Sequence, residues 1–336
     1  MNVSTFSSTD LLRLDLAAET ERIAASIHDI VLGQFRRKGA VVAVSGGIDS
    51  SVVAALCARA LGPERVIALF LPEADSSDDS LRLGAMLAER LGIRSFTEDI
   101  RHILEAAGCY RRRDEAIRSV MPEYGEGYKS KIVLPNLADG DRYALFSLVV
   151  QSPTGHTRKV RLSLDAYLGI VAATNFKQRT RKMMEYYYAD RYHYAVAGTP
   201  NRLEYDQGFF VKNGDGAADF KPIAHLYKSQ VYQLAAYLDV PHEIQRRTPT
   251  TDTYSLEQSQ EEFYFSMPLR TFDLCLYGKN HGFSPEEIAA LAGLTCTQVQ
   301  AIFAAIDSKR KATAYLHRPP VLIEDVADIL SLRDIP

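Results

Sequence analysis

Cysteine is scarce. Cys57, Cys109, Cys275 and Cys296 are scattered through 336 residues with no Cys-x-x-Cys pair. That spacing argues against a zinc cage and a disulfide framework, and it fits a reducing, cytoplasmic setting. Neither sign of charge is in excess: 39 basic against 42 acidic residues leave a formal charge of −3. Such a balance supplies neither a coat for nucleic acid nor an attraction to anionic lipid, so neither partner is expected. No run approaches the ~20 apolar residues of a membrane span. The opening MNVSTFSSTD lacks the apolar core of an export signal. Two phosphate signatures are missing as well. Without GxxxxGK(S/T) a P-loop kinase or GTPase is not supported, and without GxGxxG after the first strand neither is a nicotinamide-dependent dehydrogenase.

What is present reads as one large α/β unit, with 46% of the chain hydrophobic. Leu12, Leu16, Ile23, Ile27 and Ile30 recur at helical spacing through residues 11–36. The all-apolar AVVAV (40–44) reads as a strand buried on both faces. A helix over 49–61, a strand RVIALFL (65–71), a helix over 77–91 and a strand IRSFTEDI (93–100) follow. YAVAG (194–198) is a fourth strand, preceded by a helix over 164–191. This alternation predicts a doubly wound parallel sheet. Helical segments at 228–239 and 285–306 add a helical C-terminal part. Residues 105–163 break the pattern and read as an insertion, with a β-hairpin suggested around Pro153-Thr154-Gly155 by alternating Arg158, Val160, Leu162 and Leu164. The whole of 1–336 is therefore expected to form a single domain carrying that insertion.

The chemistry-bearing segment is Ser45-Gly46-Gly47-Ile48-Asp49-Ser50-Ser51, set between a buried strand and a helix. Two glycines let the backbone turn sharply and approach a ligand. The helix start adds unpaired N–H groups and a positive dipole end, and the three serines add hydroxyls. Bare phosphate would repel Asp49, so its presence points to a bridging Mg²⁺, which takes one or two carboxylates plus phosphate oxygens. The plainer alternative is a serine/aspartate helix cap after a glycine turn.

SGGIDS resembles the SGGxDS pyrophosphate loop of N-type ATP pyrophosphatases, which cleave ATP between the α- and β-phosphates. Five further segments resemble the NAD synthetase family, in family order. Asn175-Phe176-Lys177-Gln178-Arg179-Thr180-Arg181 is similar to its NxxxRxR, and Gly198-Thr199-Pro200-Asn201-Arg202-Leu203-Glu204 to its GTxNxxE. Lys212-Asn213-Gly214-Asp215-Gly216-Ala217-Ala218-Asp219 is similar to its KxGDGxAD. Pro222-Ile223 with Leu226-Tyr227-Lys228-Ser229-Gln230-Val231 matches the next segment, and Pro249-Thr250-Thr251-Asp252 a PTAD-type one. Together they cover roughly residues 20–100 and 165–310.

The resemblance implies ATP and Mg²⁺ as cofactors and an acyl-adenylate route in which ammonia converts a small-molecule carboxylate, deamido-NAD, to an amide. It implies that Ser45, Gly47, Asp49 and Ser50 hold pyrophosphate and Mg²⁺, with Glu204 as a second metal ligand. Arg179, Thr199, Thr250 and Lys228 contact ATP. Asn175, Lys212, Asp215 and Asp219 lie near the second substrate, where Asp215 or Asp219 orients or deprotonates the nitrogen nucleophile. Lys309-Arg310 resembles a basic pair that closes over the site. A homodimer is expected, with MMEYYY (183–188) as a candidate contact. Free ammonia or a separate glutaminase subunit is the expected nitrogen source, since the chain has no room for a glutaminase domain and begins Met1-Asn2. A second reading keeps this engine on a different carboxylate. A non-catalytic nucleotide binder is disfavoured by Asp49, Glu204 and Lys228 together, and a tRNA-modifying enzyme by the charge balance.

Overall fold

The computed structural model describes residues 11–133, 146–250, 253–260, 264 and 267–324. The predicted parallel sheet is present. Strands β1 (Ala40–Ala43), β2 (Val66–Phe70), β3 (Arg94–Thr97) and β7 (Ala195–Ala197) stand in the order β3-β2-β1-β7, all parallel. β1, β2 and β7 lack an apolar/polar alternation because helices cover both faces, whereas the edge strand β3 is largely exposed. On one face Ala40, Val42, Val66, Ala68 and Phe70 pack against α1 (Leu16–His28), α2 (Ile48–Leu61), α3 (Asp78–Leu91) and α8 (Lys228–Tyr237). On the other, Val41, Ile67, Leu69 and Val196 meet α4 (Arg101–Ala106), α5 (Cys109–Arg118) and α6 (Leu164–Tyr192). After β1 the chain winds outward through β2 and β3, then returns to place β7 on the opposite side of β1. The carboxyl ends of β1 and β7 therefore flank a topological switch point, where open α/β sheets take their ligands.

The stretch at 105–163 holds more regular structure than expected. Its first part is helical. Beyond that, β4 (Lys129–Val133) pairs antiparallel with β5 (Ser147–Gln151), which pairs antiparallel with β6 (Thr157–Arg161). The predicted hairpin is the β5–β6 pair, closed at Gly155 with φ +85°. Leu162 is buried as its alternation requires, whereas Leu164 opens α6 and is 73% exposed. Ile132, Leu148, Val150 and Leu162 close a separate small core with Ile117, Met121, Ala166 and Ile170. Residues 142–145 of the expected strand lie outside the described residues.

Two helices differ from expectation. The first is α-helical to His28, then continues as a π-helical stretch Asp29–Gln34. The segment 285–306 is two helices, α11 (Pro285–Ala292) and α12 (Cys296–Thr313). Gly293 adopts φ +67° at the break, and the Thr295 hydroxyl accepts the Gln298 N–H to restart the second helix. Beyond the short α9 (His242–Arg246), α10 (Leu269–Asn280) joins them in the helical C-terminal part around Phe272, Cys275, Ile288 and Val299. Among the described residues no single helix is long and apolar enough to cross a membrane.

Candidate active site

The glycine loop leaves β1 and enters α2 without a spacer. Gly46 has φ +70°, and a Cβ there would stand 2.7 Å from the Ser80 carbonyl oxygen, so the turn and its fit against α3 both require glycine. Gly47 caps α2 in an extended conformation and leaves the first turn's N–H groups facing the loop. The Ser45 and Ser50 hydroxyls stand 3.3 Å apart at the rim. Ser51 differs from expectation. Its hydroxyl donates to the Gly47 carbonyl at 2.8 Å and is fully buried, so it closes the helix start instead of facing a ligand. Arg247, which the sequence reading did not single out, lies across the loop. It donates to the Gly46 carbonyl at 3.4 Å and to the Ser77 and Ser80 hydroxyls at 3.2 and 3.0 Å.

Asp49 and Glu204 converge at the loop from α2 and from α7 (Arg202–Gln207). Asn201, at the end of the β7 turn, bridges them. Its side chain donates to Asp49 Oδ1 at 3.0 Å, and its backbone N–H donates to Glu204 Oε2 at 3.1 Å. Glu204 completes a capping box with Asn201, so the helix-terminal acid and the cavity-facing acid are the same residue. Gln260 donates to its other oxygen, Oε1, at 2.9 Å. Burial first, and the Asp49 charge second, push the Glu204 carboxyl up to about 8. Lys228, 2% exposed, pairs with Asp49 Oδ2. Burial pulls its ammonium down, but Asp49 and Glu204 outweigh that and the net shift is upward. Asp273 holds Lys228 from behind, accepting the Lys228 N–H at 3.1 Å and the Ser229 N–H at 2.6 Å at the start of α8.

These groups open into a cavity of about 610 Å³, within the range of small-molecule sites. Of the predicted residues, Ser45, Gly47, Ile48, Asp49, Ser50, Asn175, Arg179, Thr199, Glu204, Lys212, Asp215, Lys228 and Thr250 line it. Tyr167, Phe209, Tyr254 and Tyr264 form an aromatic wall that the sequence left unassigned. Asp215 is held by the Val211 N–H at 2.8 Å, and burial raises its carboxyl. Arg179 donates to the Lys212 carbonyl at 3.3 Å.

Several predicted residues serve the walls and not the interior. Asp219 is exposed and outside the lining. Its Oδ2 accepts the Val196 N–H at 2.7 Å, and Tyr186 donates to its Oδ1 at 3.2 Å, which secures the free edge of β7. Arg310 forks onto both Asp206 oxygens at 2.7 Å and donates to Asn280 at 2.6 Å, away from the cavity. Lys309 lies behind the wall, 4.0 Å over the Tyr264 ring. Lys212 borders the cavity but donates to the Tyr315 and Arg318 carbonyls at 3.0 and 2.8 Å, tethering the turn that follows α12. Asp252 and Thr251 lie outside the described residues, as does most of 261–266.

A glycine loop at a parallel-sheet switch point, two bridged carboxylates and a buried lysine define a nucleotide-binding α/β protein of the ATP-pyrophosphatase kind. Comparison with known proteins narrows the class. The family model described as NAD synthase matches residues 19–121 and 156–314, and the chain belongs to that family. It is 58% identical to an NH(3)-dependent NAD(+) synthetase from Rhizobium meliloti over 96% of both chains, and 37% identical to one from Thermotoga maritima over 76% of this chain and 85% of that one. Among solved structures it resembles an NH3-dependent NAD synthetase from Campylobacter jejuni (TM-score 0.60, 22% identity, 93% of this chain and 100% of that one) and an NMN synthetase from Francisella tularensis (TM-score 0.59, 22% identity, 92% and 99%). Those two likenesses carry the fold, which is adenine nucleotide alpha hydrolase-like. The family match leaves 122–155, within the stretch read as an insertion, unmatched.

Proposed function

We propose that this chain makes NAD⁺ from deamido-NAD, ATP and ammonia, releasing AMP and pyrophosphate. The observation that carries the reading is the Asp49–Asn201–Glu204–Lys228 constellation at the mouth of the glycine loop. Two carboxyl groups face one ammonium there, and the burial and Asp49 charge that push Glu204 up are the kind of cost a bound divalent cation would relieve. Among the described residues no three His, Cys, Asp or Glu side chains converge as a protein cage. That donor set suits Mg²⁺, which keeps waters and shares phosphate oxygens. Asp49 and Glu204 would hold it, and when bound it neutralises charge on the departing pyrophosphate.

The chain's own groups supply positioning. The Gly47 helix start and the Ser45 and Ser50 hydroxyls cradle phosphoryl oxygens. Lys228 and Arg179 oppose their charge. Holding the α-phosphorus in line with the carboxylate lets the acyl-adenylate form without a covalent protein nucleophile. Asp215, inside the cavity, replaces the paired assignment of Asp215 and Asp219 as the group that orients the incoming nitrogen. Lys212 and the aromatic wall border the dinucleotide. The partner of the chain is a second copy, packed through the exposed Met183 and Tyr187 of α6. Ammonia arrives free or from a separate glutaminase, and the setting is cytoplasmic.

An insertion foreign to this family would favour the alternative, the same engine on another carboxylate. The Rhizobium meliloti relative matches 96% of this chain, more than a 34-residue gap at 122–155 would permit, which favours deamido-NAD. The test is direct. Supplied with ATP, Mg²⁺, ammonium and nicotinic acid adenine dinucleotide, the protein should yield NAD⁺, AMP and pyrophosphate in equal amounts. AMP release with other carboxylates but none with this dinucleotide would overturn the substrate assignment.

A further inference from the structure

The segment 253–260 runs from the insertion to the carboxylate pair. Its outer side is bonded along β4. The Ser130 N–H donates to Ser255 Oγ at 2.9 Å, the Leu256 N–H to the Ser130 carbonyl at 3.2 Å, Lys131 Nζ to the Glu257 carbonyl at 3.2 Å, and Gln258 Nε2 to the Ile132 carbonyl at 2.6 Å. Its start is fixed by Lys177. This fully buried ammonium donates to the Thr253 carbonyl at 2.9 Å while paired with Glu73 and Asp75 at 3.0 and 2.6 Å. Its end is Gln260, itself buried. The Gln260 N–H donates to the Pro249 carbonyl at 2.9 Å, and its side chain reaches Glu204 Oε1 at 2.9 Å. β4 lies in the stretch that the family match omits.

We infer that Gln260 is a positioning residue for Glu204, and that the inserted sheet is the backing that holds it in place. The inference rests on the reading of Glu204 as a metal carboxylate and deepens it. Glu204 has three side-chain torsions and two oxygens. The Asn201 N–H fixes one oxygen and Gln260 fixes the other, so both bonds are needed to define the carboxylate plane. Groups that hydrogen-bond a metal ligand from outside set its orientation, and a residue on an irregular segment does this well only if the segment is itself held. The bonds to β4 meet that condition. They convert a loop at the cavity mouth into an extra, irregular edge of the inserted sheet.

The experiment uses the full chain, Mn²⁺ as the probe and a non-hydrolysable α,β-methylene ATP, with free Mn²⁺ read by electron paramagnetic resonance. Gln260→Met keeps the length and removes the donor. Gln260→Asn keeps the amide but falls one methylene short, and it serves if the first variant does not fold. Either should bind Mn²⁺ about 10–100-fold more weakly, the usual loss for such outer partners. Their KM for the dinucleotide should be unchanged. Gln258→Met, which loosens the segment from behind, should shift Mn²⁺ affinity in the same direction and by less. Glu204→Gln is the reference. If it weakens Mn²⁺ binding while the folded Gln260 variants bind like the unsubstituted chain, the positioning role is wrong and the metal reading stands. If Glu204→Gln itself leaves Mn²⁺ binding intact, the metal reading falls, and the inference with it.

Discussion

Alanine at Gly46 should disable the phosphate loop by a mechanism that a second glycine can isolate. Gly46 (φ +70°) and Gly92 (φ +65°) flank the same helix, α3, one packed against its first turn and the other capping its end. An added methyl meets very different surroundings at the two sites. At Gly92 nothing lies within 4 Å. At Gly46 the new Cβ would stand 2.7 Å from the Ser80 carbonyl oxygen and 3.1 Å from Leu83 Cβ, and the nearest atom is backbone, which cannot swing aside. Gly92→Ala therefore carries only the strain of an L-residue in the left-handed region, about 1–2 kcal/mol. Gly46→Ala carries that strain and an overpacking cost of about 1–3 kcal/mol, for a total of about 2–5 kcal/mol. Urea unfolding of both variants measures the two losses, and their difference reports how tightly the loop is seated on α3. Function should separate them further. Relief of the clash at Gly46 moves the loop away from α3 and from Arg247, so the KM for ATP should rise for Gly46→Ala and stay unchanged for Gly92→Ala. Equal stability losses with an unchanged KM for ATP in both would refute the argument that the Gly46 turn is held by its fit against α3.

Three other outcomes are expected. Lys228→Met leaves the half-buried Asp49 and Glu204 without their cation. It should destabilise the chain by about 3–5 kcal/mol in urea unfolding and abolish AMP release, and added Mg²⁺ should restore part of the stability. Burial raises the Asp273 carboxyl to about 6, above its unfolded value, so the folded state holds this proton more tightly. Its contribution to stability is full below pH 4 and is lost as pH rises from 4 to 6, and the urea midpoint of the native chain relative to Asp273→Asn should fall across that window. A flat difference would exclude a raised Asp273. In sedimentation equilibrium the protein should have the mass of two 37.4 kDa chains, and Met183→Asp should return it to one.

The parallel sheet was legible because its signal is local. AVVAV and VIALFL sit where β1 and β2 stand, and each is apolar throughout because each is covered on both sides. The glycine loop was legible for the same reason, since five consecutive positions set its turn, cap and acid. The inserted sheet was half legible. β5 and β6 are joined by a tight turn, whereas β4 and β5 are separated by residues 134–146, a connection too long for its Asp139-Gly140 pair to fix the register. Helices α4 and α5 were obscured by composition. The run Arg111-Arg112-Arg113 reads as solvated charge, yet Arg113 is mostly buried and donates to Asp75 at 2.7 Å.

The site divides along the same line. Residues whose role follows from the turn they occupy, such as Asp49 after the glycines and Glu204 at a helix start, stand where the motifs put them. Residues whose role depends on a partner far along the chain do not declare it. Arg310 finds Asp206, 104 positions away, and Lys177 finds Glu73, also 104 positions away. A basic residue in a motif is equally consistent with facing a phosphate and with bracing a wall, because the guanidinium or ammonium has the same chemistry in both. Only the placement of carboxylates decides between them. Around Lys228 the acids lie on the cavity side, and the charge faces the cavity. For Arg310 the acid lies on the far side, and the charge is taken up by the scaffold. The same rule separates Asp215 from Asp219, four residues apart on one glycine-rich turn. One accepts a backbone N–H from within the turn and borders the cavity, while the other accepts the Val196 N–H and closes the edge of β7. Asp219→Asn should therefore lower stability more than turnover, and Asp215→Asn turnover more than stability, when unfolding and NAD⁺ formation are measured on the same preparations.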